Sequence, residues 1–100
     1  MYIAMNRFQI VIGKEKIFEK LWKKRETYLE SVKGFKSFNL IKSEANETFT
    51  LYVSHSFWDS KHTLTNWTKC EAFRKAHKNA GSAKNIYIGH PKFEGFEVII

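Results

Sequence analysis

The chain has 100 residues, of which 43% are hydrophobic and 16% aromatic, and it carries a formal net charge of +7. This length and apolar content are typical of one compact domain and exclude a two-domain enzyme. The single cysteine, Cys70, excludes an intrachain disulfide, and the sequence has no Cys/His spacing typical of structural zinc. The net charge indicates an anionic partner, such as nucleic acid, lipid headgroups or a carboxylated small molecule.

The sequence also indicates a compartment. The first residues do not form a basic segment followed by an apolar one, and no apolar run approaches the roughly 18 residues that a membrane span requires. A single cysteine fits a reducing environment. We therefore expect a cytoplasmic protein that has no membrane partner.

The first half of the chain changes its hydrophobic period twice. Residues 2–12 are rich in β-formers and predict a strand that is apolar on both faces. Over residues 14–32 the apolar side chains recur at helical spacing, which predicts a long amphipathic helix that stops at Gly34. Residues 35–43 and 48–58 then predict two strands that form a hairpin.

The second half predicts two helical pieces and a last strand. Asp59 or Ser60 can cap a short helix that runs to about residue 67. A capping-box pattern at residues 68–71 starts another helix, which we expect to reach residue 80. A polar loop over residues 81–89 and a strand over residues 92–100 follow.

The element order β-α-β-β-α-β predicts an α+β fold of the ferredoxin-like split β-α-β type. In that fold an antiparallel four-stranded sheet carries both helices on one side. The first and third strands are apolar on both faces, and no element remains to cover the second face of the sheet. We therefore expect two sheets to pack face to face in a homodimer, which makes a dimeric α+β barrel.

Three residues are candidates for chemistry. Asn6 places an amide on a strand face that is otherwise apolar, Trp67 lies near the break between the helical pieces, and His77 shares an apolar helical stripe. Each residue also has a structural interpretation. Asn6 could bond the backbone, Trp67 could fill the core, and His77 could be satisfied within its stripe. Spacing alone leaves these alternatives open.

The remaining motifs are weaker. We assign His62 to solvent, and we favour a core or turn role for His55 and His90. Cys70 and His77 lie two helical turns apart, about 10 Å, which is too far for a direct thiol–imidazole hydrogen bond. The Walker A, G-x-G-x-x-G, H-E-x-x-H and G-x-S-x-G motifs are absent, which argues against nucleotide, zinc-protease and serine-hydrolase chemistry.

Three segments together resemble the IsdG-type heme-degrading monooxygenases of the antibiotic biosynthesis monooxygenase superfamily. They are F-W-D-S-K at residues 57–61, which leads to N-W at 66–67, F-R-K-A-H-K at 73–78, and M-N-R at 5–7. The resemblance spans nearly the whole chain. It implies an enzyme that cleaves heme with O₂ and an electron donor, releasing iron and an open-chain tetrapyrrole.

The resemblance also implies the site. Asn6, Trp67 and His77 match the catalytic and heme-binding positions of the family. His77 would be the axial ligand of the heme iron through a neutral imidazole. Asn6 would hydrogen-bond the oxygen that attacks the ring, and Trp67 would press on the ring and distort it. Heme would then be both substrate and cofactor, and a reductase would be the expected partner.

Residues 69–84 carry five cations against one acid, Glu71. These cations could attract the heme propionates or form an ordinary solvated helix face. They are Lys69, Arg74, Lys75, Lys78 and Lys84.

Residues 89–97 depart from the staphylococcal members of the family, which changes the expected rim of the pocket.

Two other functions remain open from the sequence. One is a cofactor-independent monooxygenase of the same superfamily that acts on an aromatic or quinol substrate, and the other is a heme carrier. Nucleic-acid binding would suit the positive charge, but the sequence has no RNA-binding signature or aromatic and basic platform.

Overall fold

The structure is a computed structural model that describes residues 1–24, 29–69 and 84–100. The elements are β1 (Tyr2–Val11), α1 (Glu15–Lys24), β2 (Phe35–Lys42), β3 (Phe49–Trp58), α2 (Lys61–Thr68) and β4 (Lys92–Glu97), with 3₁₀ turns at Leu29–Ser31 and Lys84–Ile86. The four strands form one antiparallel sheet in the order β2-β3-β1-β4. This architecture confirms the predicted ferredoxin-like fold.

β1 is a central strand whose side chains alternate between the two faces of the sheet. It pairs with β3 over its whole length and with β4 over residues 2–7. Because side chains alternate along a strand, even-numbered residues of β1 share one face. The buried residues on that face are Tyr2, Ala4, Phe8 and Ile10. Ile12, which we expected to extend the strand, lies beyond its end and is 46% exposed.

α1 packs on the even-numbered face of β1 through Phe18, which is fully buried. The Phe18 ring lies 5.4 Å from the Phe8 ring and 4.8 Å from the Tyr52 ring, measured between centroids. Polar contacts add to this packing, since the Thr50 hydroxyl donates a hydrogen bond of 2.8 Å to the Glu15 carboxylate. The amphipathic pattern of the sequence therefore places α1 correctly.

The single helix predicted over residues 14–32 is wrong at its end. α1 covers Glu15–Lys24, and the chain at Leu29–Ser31 forms a 3₁₀ turn. Leu29 is buried in a cluster with Trp58 and Leu64. Its burial accounts for the apolar repeat that the sequence shows there, but the chain must turn at this point to enter β2.

α2 begins where the sequence predicts. The Ser60 hydroxyl accepts a hydrogen bond from the backbone N–H of Thr63, and the Thr63 hydroxyl accepts one from the N–H of Ser60. This reciprocal capping box satisfies two donors that a helix start leaves open. Leu64 is buried against the same face of β1 as α1. The second predicted helical piece, over residues 68–80, lies outside the described residues from residue 70 onward.

The last strand is shorter than predicted. β4 ends at Glu97, which pairs with Tyr2, the first residue of β1. One further hydrogen bond joins the Val98 N–H to the Met1 carbonyl. Beyond this point β1 offers no partner, so Ile99 and Ile100 are exposed instead of continuing the strand to residue 100.

The end of the predicted polar loop belongs to the core. Ile86 is 1% exposed and packs with Ile10 and Phe18. Tyr87 forms an isolated antiparallel bridge with Ile10, and the Ile88 N–H donates to the Gln9 carbonyl. This segment covers the far end of β1, which β4 does not reach.

The sheet face opposite α1 and α2 carries many apolar side chains beside polar ones such as Arg7, His55 and Glu94, and no described element covers it. We call it the open face. It carries odd-numbered side chains of β1 and β3 and their cross-strand neighbours, among them Ile3, Met5, Ile41, Leu51, Phe57 and Phe96. Two of these, Ile41 and Phe96, are 47% and 44% exposed. No helix in the described ranges is long and apolar enough to cross a membrane.

We expect Gly34→Ala to destabilise the protein more than Gly13→Ala. Both glycines have positive φ, +89° and +93°, so alanine strains the backbone at each. Only at Gly34 would the new Cβ collide with another residue, lying 2.5 Å from Thr63 in the α2 capping box. The expected losses in free energy of unfolding are about 1 kcal/mol for Gly13→Ala and about 2–4 kcal/mol for Gly34→Ala. Urea unfolding measures both, and equal losses would show that Thr63 moves aside at no cost.

Candidate functional site

The candidate site lies on the helix side of the sheet, in the row of residues that crosses the sheet at Asn6. Asn6 is directly opposite Ser54 on β3 and Phe93 on β4, and Ser54 is opposite Leu40 on β2. Directly opposite residues in antiparallel strands point to the same face. We call this set the Asn6 row.

Two buried apolar clusters flank the Asn6 row. The first contains Tyr2, Ala4, Leu29, Trp58 and Leu64. The second contains Phe8, Ile10, Phe18, Tyr52 and Ile86. Asn6 lies between Ala4 of the first cluster and Phe8 of the second, and it is partly exposed. The row is therefore an accessible break between two parts of the core.

The Asn6 side chain makes no hydrogen bond among the described residues. Its neighbours in the next row do form such bonds. The Ser56 hydroxyl accepts a hydrogen bond of 2.9 Å from the Trp58 indole N–H and donates one of 3.4 Å to the Ala4 carbonyl. A partly exposed amide that lacks a backbone partner leaves its two N–H donors available to a ligand. This arrangement favours the ligand-binding interpretation of Asn6 over the backbone-bonded one.

Trp67 lies on α2, on the same side of the sheet as Asn6. Its ring packs against the first cluster, with the centroid 5.5 Å from that of Trp58 and the planes inclined by 32°. That cluster includes Ala4, two residues from Asn6 on the same face. The structure thus brings Asn6 and Trp67 to one side of the sheet, and Trp67 also packs in the core.

The third candidate, His77, lies outside the described residues. So do Cys70 and the side chains of four of the five cations, whereas Lys69 is described and exposed. The roles of Asn6, Trp67 and His77 stay predictions of the family resemblance.

The other histidines lie away from the Asn6 row. His62 is exposed, as predicted, and His90 is exposed in the segment before β4. His55 lies on the open face, where its ring is 4.9 Å from that of Phe57. In the described part of the chain, no group of three or more His, Cys, Asp or Glu residues could hold a metal ion.

A cavity of about 380 Å³ adjoins the Asn6 row between α1 and the β2 edge of the sheet. We call it the α1–β2 cavity. Its apolar walls are Trp22, Phe38, Leu40 and Tyr52. Trp22 stacks on Phe38 with centroids 5.6 Å apart and planes inclined by 19°. Leu40 also belongs to the Asn6 row, so the cavity and the row share one residue.

Three charged residues complete the α1–β2 cavity, namely Glu19, Lys23 and Lys42. The Tyr52 hydroxyl donates a hydrogen bond of 2.5 Å to Glu19, and this bond lowers the pKa of the Glu19 carboxyl. Burial, and then the same hydrogen bond, raises the pKa of Tyr52. Lys42 Nζ lies 3.7 Å from the Glu19 carboxylate and 5.8 Å from the Tyr52 ring centroid. At neutral pH Glu19 is therefore a carboxylate and Tyr52 a neutral phenol.

The sequence did not single out the α1–β2 cavity. A signal exists, because Glu19, Trp22 and Lys23 lie at helical spacing on one face, while Phe38 and Lys42 share a face of β2. Each set looks like an ordinary amphipathic surface. Only the packing of α1 over β2 shows that the two sets face each other.

The chain belongs to the antibiotic biosynthesis monooxygenase family, whose pattern matches residues 1–79. It is 25% identical over 85 residues to a heme oxygenase (staphylobilin-producing) of Staphylococcus epidermidis, covering 85% of this chain and 81% of that protein. These similarities confirm the resemblance to IsdG-type heme oxygenases that the sequence motifs indicated.

Two solved structures show the range of proteins that share the fold. One is the heme-degrader MhuD of Mycobacterium tuberculosis, with two hemes bound in its active site. Its TM-score to this chain is 0.75 at 23% identity, and the match covers 100% of this chain and 97% of that one. The other is SnoaB of Streptomyces nogalater, a cofactor-independent oxygenase, with a TM-score of 0.67 at 15% identity over 97% and 91% of the chains. At these identities the structures confirm the fold alone.

We expect Asn6→Ala to leave the free energy of unfolding within about 0.5 kcal/mol of wild type, because the Asn6 amide has no described partner to lose. The matched control is Ser56→Ala in the next row. It leaves the buried Trp58 indole N–H without its acceptor and should cost about 1–3 kcal/mol. Urea unfolding of both variants measures the difference. A loss above about 1.5 kcal/mol for Asn6→Ala would assign Asn6 a structural role.

Proposed function

We propose that the protein is a heme-degrading monooxygenase and that heme, its substrate, binds on the helix side of the sheet over the Asn6 row. The observation that carries this proposal is the Asn6 amide, which has no hydrogen bond among the described residues and lies between two aromatic-rich clusters. The similarity to a staphylococcal heme oxygenase, which extends over most of the chain, supports it.

The described residues fit this substrate. A porphyrin is a large flat apolar ring, and sites for such ligands are lined mainly by apolar and aromatic side chains with a few well-placed polar groups. The Asn6 row and the α1–β2 cavity provide such walls through Leu40, Phe38 and Trp22, and Asn6 provides a donor. This combination suits a ligand that is apolar over most of its area and polar at its reacting centre.

Each candidate residue has a separate part in the proposed reaction. When bound, heme supplies the iron at which O₂ is activated. The two N–H donors of Asn6 would orient oxygen toward one carbon of the ring. Trp67, whose ring is fixed by packing on Trp58, would limit the space available to the ring. His77 would provide the neutral nitrogen ligand that the family resemblance implies.

The stoichiometry requires an electron donor. Insertion of one oxygen atom into a ring C–H bond consumes one O₂, two electrons and two protons, and releases one water. Further oxygen and electrons are needed to open the ring and release iron. We therefore propose that an external donor, such as a reductase, supplies the electrons.

A cofactor-independent oxygenase is the second candidate, because the fold that the chain shares with SnoaB also accommodates that activity. In that case an aromatic or quinol substrate would occupy the same apolar surface. Its oxidation would not need the His77 imidazole.

Hemin titration distinguishes these functions. We expect wild-type protein to develop a Soret band on binding hemin, and we expect that band to decay in air with ascorbate and catalase as chelatable iron appears. His77→Ala should alter or abolish the band. Asn6→Ala should keep the band but slow its decay by about tenfold or more, because the amide that orients the oxygen is lost.

His62→Ala is the matched control, since His62 is exposed on α2 and should leave both readouts unchanged. A Soret band that forms but stays constant under reducing conditions would identify a heme carrier. Failure of hemin to bind would refute the heme proposal and favour the cofactor-independent oxygenase.

We also propose that a second copy of the chain covers the open face. Exposed apolar side chains such as Ile41 and Phe96 lie on this face. Burying them against a partner lowers the free energy because it removes apolar surface from water. The face is a sheet surface, so an identical sheet is a complementary partner in shape.

We expect Ile41→Lys to shift the protein from dimer to monomer, because it places a charge on the open face. Ile17→Lys is a matched control, since Ile17 is 46% exposed on α1 and Ile41 is 47% exposed. Sedimentation velocity over a range of protein concentrations measures the change. A wild-type monomer, or equal behaviour of the two variants, would contradict the proposed dimer.

A further inference from the structure

The α1–β2 cavity combines apolar walls with cations in a way that suits a carboxylated aromatic ligand. Trp22 and Phe38 stack to form one wall, and Leu40 and Tyr52 complete the apolar surface. Lys23 is exposed, and the side chain of Lys42 is 53% exposed. A flat apolar group can therefore lie inside the cavity while carboxylates at its edge reach ammonium groups.

The one carboxylate of the cavity is already engaged. Glu19 accepts the short hydrogen bond from Tyr52, which holds it against β3. Its contact with Lys42 is long, at 3.7 Å, and the Lys42 side chain is about half exposed. Such an exposed pair contributes little to stability, about 0–1 kcal/mol. Lys42 can thus turn to a ligand carboxylate at small cost, and Lys23 adds a second positive charge.

The position of the cavity relative to Asn6 supplies the second argument. Leu40 lines the cavity and lies in the Asn6 row, two strands away from Asn6. Neighbouring strands are about 4.8 Å apart, so this separation is about 10 Å. That length is comparable with the distance from the centre of a porphyrin to the ends of its propionates. A heme whose centre lies near Asn6 therefore reaches the cavity with one edge.

From these observations we propose that Lys23 and Lys42 bind the heme propionates and so restrict which carbons of the ring can face Asn6. This inference rests on the proposed heme-degrading function and adds a specificity role at the same site. It places the propionates beside α1 and β2, whereas the sequence pointed to the cations of residues 69–84. Fixing the propionate edge excludes in-plane rotations of the ring. Only the two lateral carbons, which exchange places when the ring is turned over about the axis between its propionates, can then face the oxygen oriented by Asn6.

The test compares hemin with iron protoporphyrin IX dimethyl ester, which has the same ring but no carboxylate charge. The variant is the double substitution Lys23→Gln with Lys42→Gln. The control is Lys20→Gln with Lys36→Gln, which removes the same two charges from exposed positions on α1 and β2 that do not line the cavity. Binding is measured from the Soret band, and the isomers of the ring-opened product are separated by chromatography.

We expect the cavity variant to bind hemin about three- to tenfold more weakly than wild type, because two exposed lysine–propionate pairs are lost. It should bind the dimethyl ester as tightly as wild type does. Its ratio of product isomers should change, while the control variant keeps the wild-type affinity and ratio. Unchanged hemin affinity and product ratio in the cavity variant would overturn the inference and leave the proposed function standing. Equal weakening for hemin and the ester would also overturn it, since the lysines would then act on the shape of the cavity. If wild-type protein bound neither compound, the proposed function and this inference would both fail.

Discussion

The pairing of β1 with β3 on one edge and β4 on the other is the constraint on which the rest of the structure depends. A strand bonded on both edges cannot slip by one residue without moving every side chain to the opposite face. Such a slip would transfer Tyr2 and Phe8 from the helix side to the open face. The register that buries these aromatic rings also directs Asn6 toward the helices. The placement of the candidate site is thus a consequence of hydrophobic burial elsewhere on the same strand.

The Asn6 row divides the core into two clusters. α1 packs on one through Phe18, and α2 packs on the other through Leu64. A strand face made only of apolar residues would give one continuous core, so Asn6 reduces the apolar area that the fold can bury. Departures from a local rule of this kind are expected at functional sites. The two clusters lie on either side of the row, where we propose that the ligand binds.

The fold alone does not determine which reaction the protein catalyses. MhuD and SnoaB share it with this chain, although the first is a heme-degrader and the second a cofactor-independent oxygenase. Function has to be argued from the side chains that the fold brings to the site. Here these are an amide, several aromatic rings and two lysines beside a cavity. An apolar surface alone would accept many aromatic molecules, but the two lysines of the cavity beside the Asn6 row favour a ligand that is both large and carboxylated.

The sequence by itself determined the local elements and identified Asn6 as a polar residue on an otherwise apolar strand face. Alternation predicted the strands, helical spacing predicted α1, and a capping residue at Asp59 or Ser60 predicted the start of α2, because backbone geometry sets these features within a few residues. The tertiary structure alone decided where elements end and which surfaces meet. β4 stops at Glu97 because β1 begins opposite it, and Ile86 is buried because β1 extends beyond β4. The α1–β2 cavity likewise depends on contacts between residues far apart in the chain, such as Trp22 and Phe38, which no local period encodes.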